Sequence, residues 1–201
     1  MREDRTWNGV PLDSDEEYLF LSWYEEAERL GLVSDITRQP EFKLSDKAVT
    51  IEHKVNSRGI KAVEKFLLHP HTYRADFSFT VAVEKNEAGD MVMLLDKFIT
   101  RRAARLIYSV FKNKPVCFVD VKGGWSNHRS RNSSDVTFPV NQKWVYAKYG
   151  IFVNKVVISP GKGSFFKNYW APDEAFRTVK GNPSKVYRAC ARFDDVKSLS
   201  D

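Results

Sequence analysis

The chain has 201 residues, 42% of them hydrophobic and 13% aromatic, which is enough to bury one core, so we expect a single domain over residues 1–201. No long apolar run is present and the start, MREDRTWNGV, is too polar for a secretory signal, so we expect a cytoplasmic protein without a membrane segment. The two cysteines, Cys117 and Cys190, lie far apart without nearby ligand residues, which argues against a disulfide framework or a zinc site.

The charge of the chain is distributed unevenly. The net charge is +6, yet residues 1–28 carry nine acids and only two arginines, so residues 29–201 hold 30 basic against 17 acidic side chains. A polyanionic partner such as nucleic acid explains a basic surface of this size, because lysine and arginine gain affinity by displacing counterions from phosphates. The alternative is charge that serves solubility alone.

The first predicted element is a helix over residues 13–31. Apolar residues recur there at three- and four-residue spacing and Gly31 stands at the C-terminal cap position. Glu16 falls within the apolar stripe and Glu17 on its flank. The sequence from Ser14 to Glu17 has the spacing of a capping box, in which the acid satisfies a free backbone N–H; the functional alternative is that Glu17 turns toward a metal site.

Strands follow the helix. Segments 41–55 and 60–68, joined by turn residues 56–59, predict a hairpin with a basic tip. Alternating phenylalanines and valines over 77–83 predict another strand, which Asp76 opens on the face away from the phenylalanines. An aspartate at a strand start is either a turn residue or a ligand.

The central motif is the run VCFVDVKGGW at 116–125. A turn at 84–90, a short strand at 91–95 and a basic amphipathic helix at 100–111 are predicted before it. In a strand, Asp120 and Lys122 point to the same face. A carboxylate beside an ammonium suits a metal ion next to a phosphate; the alternative is an ordinary surface ion pair.

The remaining segments are assigned more briefly. The polar loop 123–135 is basic and directly follows the Asp/Lys pair, so we expect it to contact substrate through His128, Arg129 and Arg131. Residues 138–149 predict a helix with Pro139 in its first turn, and 151–158 a strand. Residues 159–201 show no long periodicity and are predicted to form a partly structured extension.

Together these motifs resemble the PD-(D/E)XK nuclease superfamily, most of all small phage-encoded endonucleases related to Holliday-junction resolvases and to the endonuclease subunit of some cut-and-paste transposons. The resemblance covers residues 14–158. Its strongest pieces are Ser14-Asp-Glu-Glu17, Gln39-Pro40, Tyr73-Arg-Ala-Asp76-Phe77 and Val119-Asp120-Val-Lys122-Gly123.

The resemblance implies an α/β fold with a restriction-endonuclease-like core, in which helices flank a central mixed β-sheet. The core would span 13–158, with an inserted hairpin and helix at 84–115 and a C-terminal extension at 159–201. It implies that Asp76 and Asp120 bind Mg²⁺ or Mn²⁺ with Glu17 completing the site, and that Lys122 positions or deprotonates the attacking water. In the same comparison Gln142 and Tyr146 match a Gln-x-x-x-Tyr element that supports the site and the DNA backbone, with Lys143 beside it.

The expected activity is therefore metal-dependent hydrolysis of phosphodiester bonds in DNA, duplex or branched, by a phage-encoded endonuclease acting in the host cytoplasm. A homodimer would suit cleavage of both strands. Two alternatives remain open at this point: a noncatalytic nucleic-acid-binding protein that keeps the nuclease fold, and a nuclease directed at RNA.

Overall fold

The computed structural model describes residues 6–57, 59–99, 105–123, 133–159, 164–176, 178–179, 182–183, 187 and 190–197. The described chain is a mixed α/β structure. Its strands are β1 (Thr6–Trp7), β2 (Val10–Pro11), β3 (Val33–Arg38), β4 (Glu41–Ser45), β5 (Ala48–Asn56), β6 (Gly59–Leu68), β7 (His71–Arg74), β8 (Phe77–Val81), β9 (Val83–Lys85), β10 (Met91–Met93), β11 (Ser109–Phe111), β12 (Lys114–Gly123), β13 (Val153–Ile158), β14 (Thr178–Val179) and β15 (Asn182–Pro183). Its helices are α1 (Asp15–Arg29), α2 (Ser133–Tyr149), α3 (Phe165–Asn168) and α4 (Phe193–Lys197), with 3₁₀ helices at Leu94–Phe98 and Asp173–Phe176.

Helix α1 confirms the first predicted element and its start signal. The Ser14 hydroxyl accepts the backbone N–H of Glu17 at 3.1 Å, as an N-cap does. Gly31 follows the helix with a φ of 70°, a left-handed conformation that glycine adopts without steric cost. Apolar side chains on one face of α1 are buried: Phe20, Leu21, Trp23, Tyr24 and Ala27.

The central sheet is built around β12. Strand β8 pairs antiparallel with one edge of β12 and continues to β3, which pairs antiparallel with β8. On the opposite edge, β11 pairs antiparallel with the start of β12 and β13 pairs parallel with the rest of it. The sheet is therefore mixed, and β8 pairs with β12 only as far as Val119, whereas β13 follows the other edge to Gly123.

The two faces of the sheet bury two apolar clusters. Residues Cys117, Val119 and Val121 of β12 belong to the larger cluster, which includes the buried face of α1. Val116 and Phe118 belong to the smaller cluster, which includes residues of α2 and β4. The alternation of side chains along β12 therefore places Asp120 and Lys122 on the face of the smaller cluster.

The hairpin of β5 and β6 confirms the predicted turn at 56–59, with Asn56 paired to Gly59. The predicted strand 41–55 is divided, because β4 pairs with β7 whereas β5 pairs only with β6. Strand β3 was not predicted: its sequence VSDITR lacks apolar alternation, and its register with β8 shifts between Ser34 and Thr37, around Asp35 at a φ of 56°.

The predicted helix 100–111 is wrong over its described part, residues 105–111; residues 100–104 lie outside the described residues. The backbone N–H groups of this segment donate to side chains that are distant in sequence and not to helical carbonyls. Tyr169 Oη accepts from Leu106 at 2.9 Å, and Asn154 Oδ1 accepts from Ile107 at 2.8 Å. The following residues form β11. Helix α2 starts earlier than predicted, so Pro139 lies in its interior and not in its first turn.

Aromatic residues of the segment 164–176, within the predicted C-terminal extension, pack into the larger apolar cluster. Phe165, Tyr169 and Trp170 lie 4% or less exposed, and the Trp170 ring centroid is 5.3 Å from that of Trp23 on α1. The Trp170 indole N–H also donates to Glu26 Oε2 at 3.0 Å. No helix among the described residues is long and apolar enough to span a membrane.

We predict that Trp170→Ala lowers the free energy of unfolding by about 3–5 kcal/mol, because it removes a large buried side chain and leaves a cavity beside α1. Trp144→Ala is the matched control: Trp144 is 41% exposed on α2, so its loss should cost about 1 kcal/mol or less. Urea unfolding of both variants measures this. Equal small losses would show that the segment is not part of the cooperative core.

Candidate functional site

Backbone pairing brings Asp76 beside Asp120. Residue Phe77 of β8 pairs with Val119 of β12, so Asp76 lies immediately past this pair, next to the end of β12. Its backbone N–H donates to Val119 O at 3.0 Å, and its Oδ2 accepts the N–H of Val121 at 2.6 Å. Asp76 is thus held against the backbone on either side of Asp120, by its own N–H at Val119 and by its carboxylate at Val121.

Asp120 is buried, with 4% of its surface exposed. Its Oδ2 accepts the hydroxyl of Tyr73 at 2.7 Å, and its Oδ1 forms an ion pair with Lys122 Nζ. Oδ1 makes no hydrogen bond in the described structure. The Lys122 side chain is 21% exposed, so this pair is more buried than an ordinary surface ion pair. We refer to Asp76, Asp120 and Lys122 as the Asp–Asp–Lys cluster.

Because the two carboxylates of the cluster are close together, each makes it harder for the other to be ionised. Burial raises the pKa of Asp76 to about 7, and the charges of Asp120 and Glu17 act in the same direction. The backbone N–H of Val121 and the ammonium of Lys122 act in the opposite direction without cancelling this effect. A cation bound between the carboxylates would relieve the repulsion, which is the electrostatic condition for a metal site.

Glu17 lies close enough to the cluster to interact with Lys122. Burial raises its pKa, whereas the charges of Arg38 and Lys122 lower it. Its Oε2 accepts the backbone N–H of Asp13 at 3.4 Å. The carboxylate therefore accepts a backbone N–H at the start of α1, but from Asp13 and not from the N-cap residue Ser14 that a capping box would use. It also lies within electrostatic reach of Lys122.

Glu16 approaches the end of β12 as well. A Cβ built on Gly123 would lie 2.6 Å from Glu16 Oε1, so only a residue without a side chain leaves room for this carboxylate in its present position. Both acids at the start of α1 thus approach the end of β12, Glu16 at Gly123 and Glu17 near Lys122. The sequence alone left open which of the two would do so.

The other predicted site residues are placed differently. Gln142 Nε2 donates to Val153 O at 2.5 Å, so the side chain ties α2 to β13, and no described hydrogen bond joins it to the cluster. Lys143 and Tyr146 are exposed on α2. His128, Arg129 and Arg131 lie outside the described residues.

Two side chains of the site were missed from the sequence. Tyr73 is buried, and burial followed by the charge of Asp120 raises its pKa well above the usual range, so it remains a hydrogen-bond donor at neutral pH. Arg38 lies near Glu17, and its Nη1 is buried without a hydrogen-bond partner in the described structure. Tyr73 stands within the motif that contains Asp76, which was the available signal; β3, which carries Arg38, was not predicted.

The donor set fits a hard divalent cation held by few protein ligands. No group of three or more His, Cys, Asp or Glu side chains able to hold a metal occurs among the residues that the structure describes. Mg²⁺ commonly takes one or two carboxylates and keeps several waters, so Asp76 and Asp120 satisfy its requirement. Two carboxylates held side by side on adjacent strands, with the pKa of Asp76 raised in part by the charge of Asp120, are the observation that favours this fit.

We predict that Tyr73→Phe lowers the free energy of unfolding by about 1–3 kcal/mol, because Asp120 Oδ2 loses its buried hydrogen bond. Tyr149→Phe is the matched control: its hydroxyl donates to Lys43 O at 2.7 Å at an exposed site, so the loss should be about 0.5 kcal/mol. Chemical unfolding of both variants compares them. An equal effect would mean that the Tyr73 hydroxyl does not support Asp120.

We predict that Asp76→Asn becomes more stable relative to the parent protein as the pH rises. Asp76 has a pKa of about 7 in the folded protein and about 4 when unfolded. Between these values the folded state binds more protons at Asp76, so this carboxyl makes the parent protein lose stability as the pH rises, and the asparagine variant lacks that contribution.

Unfolding free energies measured in EDTA from pH 4 to pH 8 test this expectation. The unfolding free energy of Asp76→Asn minus that of the parent protein should increase up to about pH 7 and stay constant above it. A difference that does not change with pH would show that the Asp76 carboxyl has an ordinary pKa in the folded protein.

Comparison with known proteins adds no family assignment. No protein-family model, curated protein or solved structure matches the chain.

Proposed function

We propose that the protein is a metal-dependent DNA endonuclease that hydrolyses phosphodiester bonds. The observation that carries this proposal is that Asp76, Asp120 and Lys122 meet at the end of β12, although the two aspartates are 44 positions apart in the sequence. These are the positions at which the resemblance to PD-(D/E)XK nucleases requires two acids and a lysine.

The order of elements supports the same proposal. Helix α1 precedes β3, β8 and β12 of the sheet, and α2 then leads to β13, which runs parallel to β12. The segment between β8 and β12 holds the β9–β10 hairpin, a 3₁₀ helix and β11, where the resemblance implied an insertion. We propose that this arrangement is a restriction-endonuclease-like core.

In this proposal the carboxylates of Asp76 and Asp120 hold Mg²⁺ or Mn²⁺. The divalent ion would supply Lewis acidity and positive charge for phosphodiester hydrolysis. Tyr73 fixes one oxygen of Asp120 and leaves the other oriented toward Lys122. Glu17 adds negative charge beside the pair and completes the acidic side of the site.

Lys122 has three roles in the proposed reaction. In the described structure its ammonium neutralises Asp120, which lowers the cost of burying that carboxylate. Because its side chain is partly exposed, it also presents a cation to an incoming phosphate. A positioned donor of this kind is worth about 2.7–4 kcal/mol in the transition state. The same side chain would position the attacking water as an ammonium, or help to deprotonate it only in the neutral amine form.

The basic surface supports DNA as the substrate. Residues 29–201 carry 30 basic and 17 acidic side chains, which favours a polyanion. Lys143 and Tyr146 are exposed on α2, as backbone contacts require. A homodimer with two such sites would cut both strands of a duplex, and a phage-encoded enzyme of this type would act in the host cytoplasm.

We predict that Asp120→Asn lowers Mg²⁺-dependent cleavage at least about a hundredfold, because a loss of roughly 3 kcal/mol of transition-state stabilisation has that effect on rate. Binding of the same DNA in EDTA should be unchanged, since the basic surface is untouched. Asp35→Asn is the matched control, because Asp35 is an exposed acid of β3 that pairs with Lys114 outside the cluster. It should cleave normally.

Parallel cleavage assays distinguish the DNA nuclease from a noncatalytic binder and from an RNA nuclease. The substrates are plasmid, branched DNA and RNA, each with Mg²⁺ and with EDTA. Cleavage of DNA that is lost in EDTA and lost in Asp120→Asn supports the proposal. Cleavage that survives EDTA contradicts it. DNA binding without cleavage at any divalent ion would establish a noncatalytic binder, and cleavage of RNA alone would change the substrate.

A further inference from the structure

Strands β5 and β6 form an arm that pairs with no other part of the described sheet structure. The ten residues of β6 give the arm a length of about 30 Å. Every residue of β6 is exposed except Val63, which is half-buried. An isolated two-stranded hairpin is at best marginally stable in water, so an arm of this length calls for a partner.

The arm carries paired charges in the half away from the turn and lysines alone nearer the turn. Glu64 pairs with Lys47 and Glu52 pairs with Lys65, so both acids of the arm already have a counter-ion. Beyond these pairs, toward the turn, Lys54 lies directly opposite Lys61.

Lys54 and Lys61 are exposed, and no ion pair joins either to another described residue. Like charges placed opposite each other in an antiparallel pair destabilise it. The far half of the arm thus carries two cations whose repulsion an anion would relieve.

The opposite face of the same end is apolar. Val55 lies directly opposite Ile60, and the two are 79% and 71% exposed. They rank among the most exposed large apolar side chains of the described structure. The end of the arm therefore combines an apolar pair on one face with a lysine pair on the other.

We infer that this arm binds DNA as a two-stranded ribbon, with Lys54 and Lys61 on phosphates and Val55 and Ile60 inserted into a groove. A ribbon of two strands fits the major groove of DNA, where apolar side chains contact the methyl group of thymine. The excess positive charge selects a polyanion over a second copy of the arm, which would bring like charges together. The inference rests on the proposed function, since it assigns the arm to the same DNA substrate.

The test measures binding of a fluorescent DNA duplex by anisotropy in EDTA, from 50 to 300 mM salt. The full-length Lys54→Ala/Lys61→Ala variant should bind tenfold or more weakly, and the slope of log K against log salt should fall by about 1.8, because each phosphate contact contributes about 0.9. Glu52→Ala/Lys65→Ala is the matched control: it alters two residues of the same arm without changing net charge, so its slope should be that of the parent protein.

A second variant, Val55→Ser/Ile60→Ser, should weaken binding without changing the salt slope, because it removes apolar contacts only. Sedimentation of each variant reports its oligomeric state, and thermal unfolding checks that the fold is kept.

Each remaining outcome has a defined meaning. An unchanged affinity and slope in the lysine variant, with the parent protein binding DNA, overturns the role of the arm and leaves the nuclease proposal standing. Loss of a dimer in the Val55/Ile60 variant with DNA binding intact assigns the arm to a second copy and overturns the inference. A parent protein that binds no DNA overturns both proposals.

Discussion

The site depends on one pairing, that of β8 with β12. This pairing fixes Asp76 against the backbone of β12, where Val121 donates to its carboxylate, and thereby places it next to Asp120. Both strands are held by apolar clusters on the two faces of the sheet. The energy of burying those clusters is what keeps two acids together despite their mutual repulsion.

Elements with local signals could be predicted from the sequence. Helix α1 has its cap at Ser14 and its apolar stripe, and the β5–β6 hairpin has turn residues at its centre. Elements whose conformation depends on contacts with residues distant in sequence could not be predicted. Residues 105–111 have helical spacing, yet Tyr169 and Asn154 hold their backbone in another conformation. The aromatic residues around Trp170 lack periodicity because they fill a space defined by α1.

The same distinction holds in the site. The common face of Asp120 and Lys122 follows from the period of a strand, and the ion pair between them is found in the structure. The contribution of Tyr73 was missed although the residue stands in the same motif as Asp76, because nothing local indicates that its hydroxyl meets Asp120, 47 positions away. Gln142 shows the converse: its place in a recognised motif indicated the site, whereas its described hydrogen bond goes to the backbone of β13.

The central claim is that oxygen atoms of Asp76 and Asp120 share one divalent ion. A crystal structure of the protein soaked in Mn²⁺, with the ion located by anomalous scattering, measures this directly. The account predicts one ion bonded to both carboxylates at the end of β12, with Lys122 turned from Asp120 toward the open side. An ion bound elsewhere, or a Lys122–Asp120 pair left intact at saturating Mn²⁺, would contradict it.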